Sequence, residues 1–328
     1  MVSVVTLITT ALVAGLVIEA LVLYWARRSN MLAHVNERSS HVIPTPTMGG
    51  IAIVLVCSAY FVWLAQIDTP LGFYIGVALL AVGLVGLWDD LVPLPPWVRL
   101  LVQVGSATAA LYVLEFDLSF VIAVVVVFAM VWFTNLYNFM DGIDGIAAMQ
   151  AFLFCVCVLI LAGPVPGWLG ELLWVTSSAT LAFLAFNWPP ARIFMGDVGS
   201  GYLGLLIAVV VLALWQGNQL PLIACLVLLA GFWFDASYTL VVRLTSGQKI
   251  TQAHRSHLYQ RLAGRKGHLW TTCVFSLFQM IWLLPMAWLS LAFPAWEWLV
   301  LVLAVAPLAY ACRHYQAGAA DIENVGQG

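Results

Sequence analysis

Eleven nearly unbroken apolar stretches alternate with short polar breaks along this chain, at about 2–26, 48–65, 71–88, 100–114, 119–134, 146–162, 171–187, 200–215, 220–240, 269–292 and 297–312. Runs of this length predict membrane-spanning helices, because about 20 apolar residues in helical form cross the hydrocarbon core of a bilayer. The breaks fall into two unlike sets. Numbered alternately, one set (27–47, 89–99, 135–145, 188–199, 241–268 and the tail after 312) holds every one of the 12 Lys and Arg residues, and the other set holds none. Basic residues mark the cytoplasmic side. The expected fold is an all-α polytopic membrane helix bundle of about eleven transmembrane helices, N-terminus outside and C-terminus cytoplasmic, as one integral membrane domain over 1–328.

Composition narrows this further. The chain is 63% hydrophobic and only 8% charged, which excludes an ordinary soluble domain. The formal charge of -3 and the lack of a basic patch give no reason to expect nucleic acid. The six cysteines lie in or at the ends of apolar runs, none with a CxxC spacing, and read as free thiols. No basic residue precedes the first apolar run, so that run reads as a retained helix and not a removed signal peptide.

Ionisable chemistry collects at the inner interface: Glu37, Asp89, Asp90, Asp141, Asp144, Asp197, Asp321 and Glu323, with Asp235 near the inner end of its helix. Glu19 is the one acid deep in a span, where ionisation costs about 2.5–3.5 kcal/mol on insertion scales; it is expected to be protonated or paired. A cation-coupled transporter would gather such groups near mid-depth.

The segment Trp132 to Gly145, WFTNLYNFMDGIDG, concentrates polarity most. Asn135 and Asn138 are one helical turn apart and share a face, and Gly142 and Gly145 allow the backbone to turn after them. Asp141 and Asp144 are expected to face water there, where carboxylates beside amides suit a hard divalent cation or its phosphate complex. The same residues also fit an Asp144 N-cap on the next helix beside a solvated Asp141. Asp89 and Asp90 stand at the C-terminal end of the third span, against the helix dipole by about 0.3–1 kcal/mol each when exposed. Placement against that preference points to function. Arg99 and Gln103 open the next span as candidates for binding phosphate, or Arg99 snorkels at the interface. Asp197, flanked by Gly196 and Gly199 at a helix mouth, is a candidate metal ligand or an N-cap.

Two inner loops complete the pattern. In the first, Pro44 and Pro46 deny a regular helix, and Gly49–Gly50 permit close backbone approach. In the last, Asp235, Thr239 and Arg243 share one helix face. The run TQAHRSHLYQRL from Thr251 then offers His254, Arg255 and His257 to the anionic and planar parts of a nucleotide sugar, or forms a basic surface for anionic lipid.

Taken in order, Pro44-Thr45-Pro46 to Gly50, Asp89-Asp90, Asn135-x-x-Asn138-x-x-Asp141-Gly-x-Asp144-Gly, Gly196-Asp197-x-Gly-Ser200 and the His257 loop resemble the polyprenyl-phosphate N-acetylhexosamine-1-phosphate transferase family, glycosyltransferase family 4. The resemblance implies transfer of a sugar 1-phosphate from a UDP-N-acetylhexosamine to undecaprenyl phosphate, with release of UMP and use of Mg²⁺ or Mn²⁺, in a bacterial inner membrane. It implies a base or acceptor-phosphate role for Asp89, which also joins Asp197 in the metal set, and a supporting catalytic role for Asp90. To Asn138, Asp141 and Asp144 it gives substrate, metal-site or catalytic roles, and to His257 donor binding. Asn135, Arg99, Asp235, His254 and Arg255 complete the candidate substrate-binding set. His257 matches the first histidine of the family's His-x-His-His motif, but Tyr259 and Gln260 replace the other two, as in the O-antigen-initiating branch. Tyr259 is expected to meet the sugar or base. A homodimer is allowed. A lipid-binding scaffold leaves the clustered aspartates unexplained. A CDP-alcohol phosphotransferase requires Asp-Gly-x-x-Ala-Arg where this chain reads Asp141-Gly-Ile-Asp-Gly-Ile.

The one-sided basic residues make a direct prediction. In a thiol-free background, Asn36→Cys and Arg265→Cys are expected to react with an impermeant maleimide only after cells are opened; labelling of either in intact cells reverses the orientation.

Overall fold

An unpaired backbone amide is costly in lipid, so a chain this apolar folds helix by helix, closing its hydrogen bonds within each span. The computed structural model describes residues 3–29, 32–33, 45–67, 69–248 and 254–320. The inner-loop residues Glu37, Arg38 and Pro44, the start of the last loop at Thr251, and Asp321 and Glu323 lie outside the described residues. The helices are α1 Val4–Arg28, α2 Gly50–Leu64, α3 Thr69–Leu91, α4 Pro96–Val113, α5 Phe120–Met140, α6 Ile146–Ala162, α7 Gly167–Asn187, α8 Gly196–Gln216, α9 Leu222–Leu228, α10 Ala230–Thr245, α11 Leu258–Lys266, α12 His268–Phe278, α13 Leu284–Ala292 and α14 Glu297–His314. A π-helical turn, Gln279–Leu283, joins α12 to α13.

Every expected span contains helix. Among the described residues, seven helical segments are long and apolar enough to cross a bilayer on those grounds alone, and an eighth is added if α9 and α10, bent by 76°, count as one span. α2 and α6 are apolar but shorter, and α4 carries Arg99 and Gln103. The fifth span was expected to end at 134, but α5 continues to Met140 because Leu136, Tyr137 and Met140 extend its buried face. Asn135 and Asn138 therefore lie on this helix, with the one-turn spacing that the sequence predicts.

α8 is the axis of the bundle. Every residue from Val198 to Leu214 is buried, with α3 and α5 packed against it and α7 lying between α1 and α6. The start of α2 is stitched to the segment before α8: Gly49 N–H donates to Phe194 O at 2.8 Å, Gly50 N–H to Met195 O at 2.9 Å, and Phe194 N–H to Pro46 O at 2.8 Å. The paired glycines make this possible, since a Cβ on Gly50 would lie 2.6 Å from Gly199 N and 2.8 Å from Met195 O. Glu19 and Phe183 also close on Gly49, and Glu19 is fully buried with neither oxygen hydrogen-bonded among the described residues. All six cysteines are unpaired.

Gly50→Ala is expected to overpack this contact and destabilise the protein by about 1–3 kcal/mol, lowering Tm in detergent by differential scanning fluorimetry. Gly105→Ala, where a Cβ meets nothing within 4 Å, should leave Tm unchanged or slightly raised.

Candidate active site

Four helix ends meet at one place, and the carboxylate of Asp90 joins two of them. At the end of α3, Asp90 Oδ1 accepts the N–H of Asp197 at 2.9 Å and Oδ2 that of Val198 at 3.0 Å, both in the first turn of α8. The cap of α8 is thus supplied by another helix. This explains the misplaced charge: an acid unfavourable at the end of α3 is favourable at the start of α8, where unpaired N–H groups and the positive dipole end converge. Gly196 admits it, with φ +76° and no room for a Cβ, which would sit 2.6 Å from Asp90 Oδ2.

Because Asp90 does the capping, the Asp197 side chain is turned into the site. Asp197 Oδ2 accepts from Arg99 Nη1 at 2.6 Å, and Oδ1 from Asn138 Nδ2 at 2.9 Å. The same Arg99 nitrogen lies 2.6 Å from Asp89 Oδ2, while Asp89 Oδ1 accepts the Leu94 N–H at 2.6 Å. Asn138 Nδ2 also donates to Ser200 Oγ at 2.8 Å. Asp89, Asp90, Arg99, Asn138 and Asp197, five of the residues predicted from sequence, therefore form one contact network.

Asp141 ends α5 beside them, and its carboxylate has no hydrogen-bond or ion-pair partner among the described residues. Burial, then the charges of Asp197, Asp90 and Asp144, push its pKa well above the usual carboxylate range. Four carboxylates against one guanidinium leave an excess of hard oxygen donors, which fits Mg²⁺ or Mn²⁺. Among the described residues no three acidic, histidine or cysteine side chains converge into a ready-made cage; the fit lies in the unpaired Asp141 and the chemistry of the donor set.

Asp144 points elsewhere and is buried, so the expectation that it faces water is corrected. Its Oδ2 accepts the Ala191 N–H at 3.0 Å, its Oδ1 lies 3.1 Å from His268 Nδ1, and its backbone oxygen accepts from Thr272 Oγ1 at 2.9 Å. Nor does it cap α6, whose N-cap is Gly145. The Gly145 N–H donates to Asn187 Oδ1 at 2.8 Å. Asn135 binds Gln103 Oε1 at 2.7 Å and Val131 O at 2.8 Å, so Gln103 is a buried brace between α4 and α5 and not a phosphate contact.

The last loop repeats the device of the borrowed cap. Asp235, fully buried in α10, accepts the Leu258 N–H on Oδ1 at 2.8 Å and the Tyr259 N–H on Oδ2 at 3.0 Å, fixing the start of α11. Asp235 is therefore corrected from a substrate contact to the anchor of the loop. Tyr259 is also fully buried, its hydroxyl donating to Phe139 O at 2.8 Å, which removes it from contact with a sugar: its place is under the site, tying α11 to α5. His257 is buried, stacked on Tyr259 at 5.8 Å with its Nδ1 3.8 Å from Asp235 Oδ1. His254 Nδ1 lies 2.9 Å from Ser256 Oγ. Burial, with the charges of His257 and Arg243, pushes the His254 pKa down to about 4, so it is neutral near pH 7 and serves hydrogen bonding, not charge pairing. Arg255 is exposed.

Three contributors escaped the sequence reading: Ser200, visible only as a member of the Gly196-Asp197-x-Gly-Ser200 motif, Asn187 and His268.

The family model for glycosyl transferase family 4 matches residues 72–215, the span that carries Asp89, Asp90, Asn138, Asp141, Asp144 and Asp197. A phospho-N-acetylmuramoyl-pentapeptide-transferase of Limosilactobacillus fermentum is 32% identical over 236 residues, covering 64% of this chain and 73% of that protein. A probable undecaprenyl-phosphate N-acetylglucosaminyl 1-phosphate transferase of Bacillus subtilis is 28% identical over 290 residues, covering 80% and 78%. A phospho-N-acetylmuramoyl-pentapeptide-transferase of Streptococcus thermophilus is 30% identical over 267 residues, covering 69% and 77%.

The raised pKa of Asp141 sets a pH dependence. A carboxyl whose folded pKa exceeds its unfolded value stabilises the fold when protonated; that contribution is complete below the ordinary value of 3.8 and is lost as pH rises through the folded pKa. In EDTA, wild-type Tm should fall as pH rises from about 4 towards neutrality. Asp141→Asn should flatten this slope and raise Tm at pH 7, and an unchanged slope would show that Asp141 does not feel its neighbours.

Proposed function

This chain belongs to glycosyl transferase family 4, the polyprenyl-phosphate hexosamine-phosphate transferases, and on that premise we propose that it transfers N-acetylhexosamine 1-phosphate from a UDP-sugar to undecaprenyl phosphate. UMP is released, and the lipid-linked product begins a cell-envelope polysaccharide such as O-antigen. The enzyme works as a multi-pass protein of the bacterial inner membrane, with its site at the cytoplasmic face. The observation that carries this reading is the Arg99 bridge between Asp89 and Asp197 at 2.6 Å each, with Asp141, unpaired among the described residues, beside it.

In the reaction an oxygen of the lipid phosphate attacks the sugar-bound phosphorus, and the bond from that phosphorus to the oxygen of UMP breaks. Two anions combine and two anions leave, so no net proton is required. The difficulty is repulsion, which positioned cations offset most effectively in a partly desolvated site. Mg²⁺ or Mn²⁺, held by Asp197 with Asp89 and Asp141, would supply charge neutralisation at the phosphoryl oxygens. Arg99 supplies the protein's own cation and can transfer its N–H groups from carboxylate to phosphate. Asp89 orients Arg99 and accepts a proton from any monoprotonated acceptor phosphate. Asn138 holds Asp197 in place, and Asp90 fixes the helix start that presents it. A lipid head at the interface and a donor in cytosol both reach such a site.

A second reading takes phospho-N-acetylmuramoyl-pentapeptide as the transferred group, favoured by the 32% identity to the Limosilactobacillus fermentum protein; the first is supported by the resemblance of the His257 loop, with Tyr259 and Gln260 in place of two histidines, to the O-antigen-initiating branch, and not by a donor contact of either side chain. Purified protein with undecaprenyl phosphate, Mg²⁺ and a panel of UDP-sugars, read by UMP release and mass spectrometry of the lipid, distinguishes them. Asp197→Asn is expected to lower kcat by about 10²–10³ and weaken the Mg²⁺ dependence with Tm retained, and Asp89→Asn to lower kcat with a smaller effect on Mg²⁺. Near wild-type rates in both variants would remove the assignment.

A further inference from the structure

We propose that His268 is a positioning residue for this reaction, acting through Asp144 to hold the turn that carries Asp141. Its catalytic consequence rests on the transfer reading above; its structural consequence does not. His268 is the first residue of α12, and its Nδ1 lies 3.1 Å from Asp144 Oδ1, across 124 residues of sequence. Thr272, one turn later on the same face of α12, donates to the backbone oxygen of Asp144 at 2.9 Å. From the other side, the Ala191 N–H holds Asp144 Oδ2 and Asn187 Oδ1 holds the Gly145 N–H. The turn between α5 and α6 is thus gripped by α12 on one side and by the end of α7 and the segment following it on the other.

The grip is needed because of Asp141. That carboxylate has no partner among the described residues, and Asp197, Asp90 and Asp144 all repel it. The Asp141 N–H closes the end of α5 on Asn138 O at 3.2 Å, but no contact among the described residues holds its side chain, so where the carboxylate sits is set by the end of α5 and by the turn, and the turn by Asp144 and Gly145. His268 supplies the contact to Asp144 that comes from a side chain able to donate towards the carboxylate. The Nδ1 contact to Oδ1 at 3.1 Å outranks its contact to the Asp144 N–H at 3.5 Å, because it is the shorter of the two and well inside hydrogen-bond range. Nδ1 therefore carries the proton, and Nε2 plays no part in the clamp.

Amide isosteres separate the two ring nitrogens: asparagine places an N–H near Nδ1, glutamine near Nε2. His268→Ala and His268→Gln are expected to lower kcat by about 10- to 100-fold, as misplacement of a reacting group does, with the KM for the UDP-sugar unchanged. Both should speed amide hydrogen exchange across residues 141–148. His268→Asn should stay within about threefold of wild type in kcat and keep the wild-type protection. Rescue by glutamine as good as by asparagine, asparagine no better than alanine, or alanine indistinguishable from wild type would each overturn the proposal. If wild-type protein transferred no sugar phosphate, the functional reading would fall while the exchange measurement still decided the clamp. Thr272→Val, which removes only the second tie, gives the same exchange test in a milder variant should the His268 variants not fold.

Discussion

The carboxylate of Asp90 on the first turn of α8 is the contact on which the site depends. It satisfies two N–H groups that would otherwise stand unpaired at the start of the most buried helix of the bundle. It also holds the end of α3 against the start of α8, which sets the separation of Asp89 from Asp197 and so allows Arg99 to reach both. Asp235 does the same for α11. In each case the carboxyl group of one helix stabilises another, an arrangement open to a protein whose helix ends crowd together at one interface.

The balance of charge follows from this. Capping absorbs Asp90 into hydrogen bonds, Arg99 is shared by Asp89 and Asp197, and Asp141 is left over. A site that binds two phosphorylated substrates must be able to accept cations and yet not be self-neutral. The surplus carboxylate provides that, and it is tolerated because the turn bearing it is fastened through Asp144 and Gly145.

Much of this was legible in the sequence because membrane segments obey one strong rule, apolar length, and basic residues sort by side. The helix positions and the company of Asp89, Asp90, Asn138, Asp141 and Asp197 follow from that rule and from motif spacing. What the spacing did not carry was direction. Asp144 and Asp141, three residues apart, point to different neighbours, and Asp235 and Tyr259 look inward, because partners far along the chain decide where a side chain turns. Asp90 was conspicuous as an acid at the wrong end of a helix, but only the fold reveals the helix that it serves. His268 stood in a basic segment with nothing beside it to mark it, its partner lying 124 residues earlier.

The borrowed anions share a direction along the chain. Asp90 precedes the amides of Asp197 and Val198, Asp144 precedes that of Ala191, and Asp235 precedes those of Leu258 and Tyr259. Chains are synthesised and domains fold from the N-terminus onward. At each of these places the acceptor has therefore left the ribosome before the donor does, so a newly inserted segment arrives to find its counterpart already present, and the order of biosynthesis coincides with the order in which these polar groups need to be satisfied.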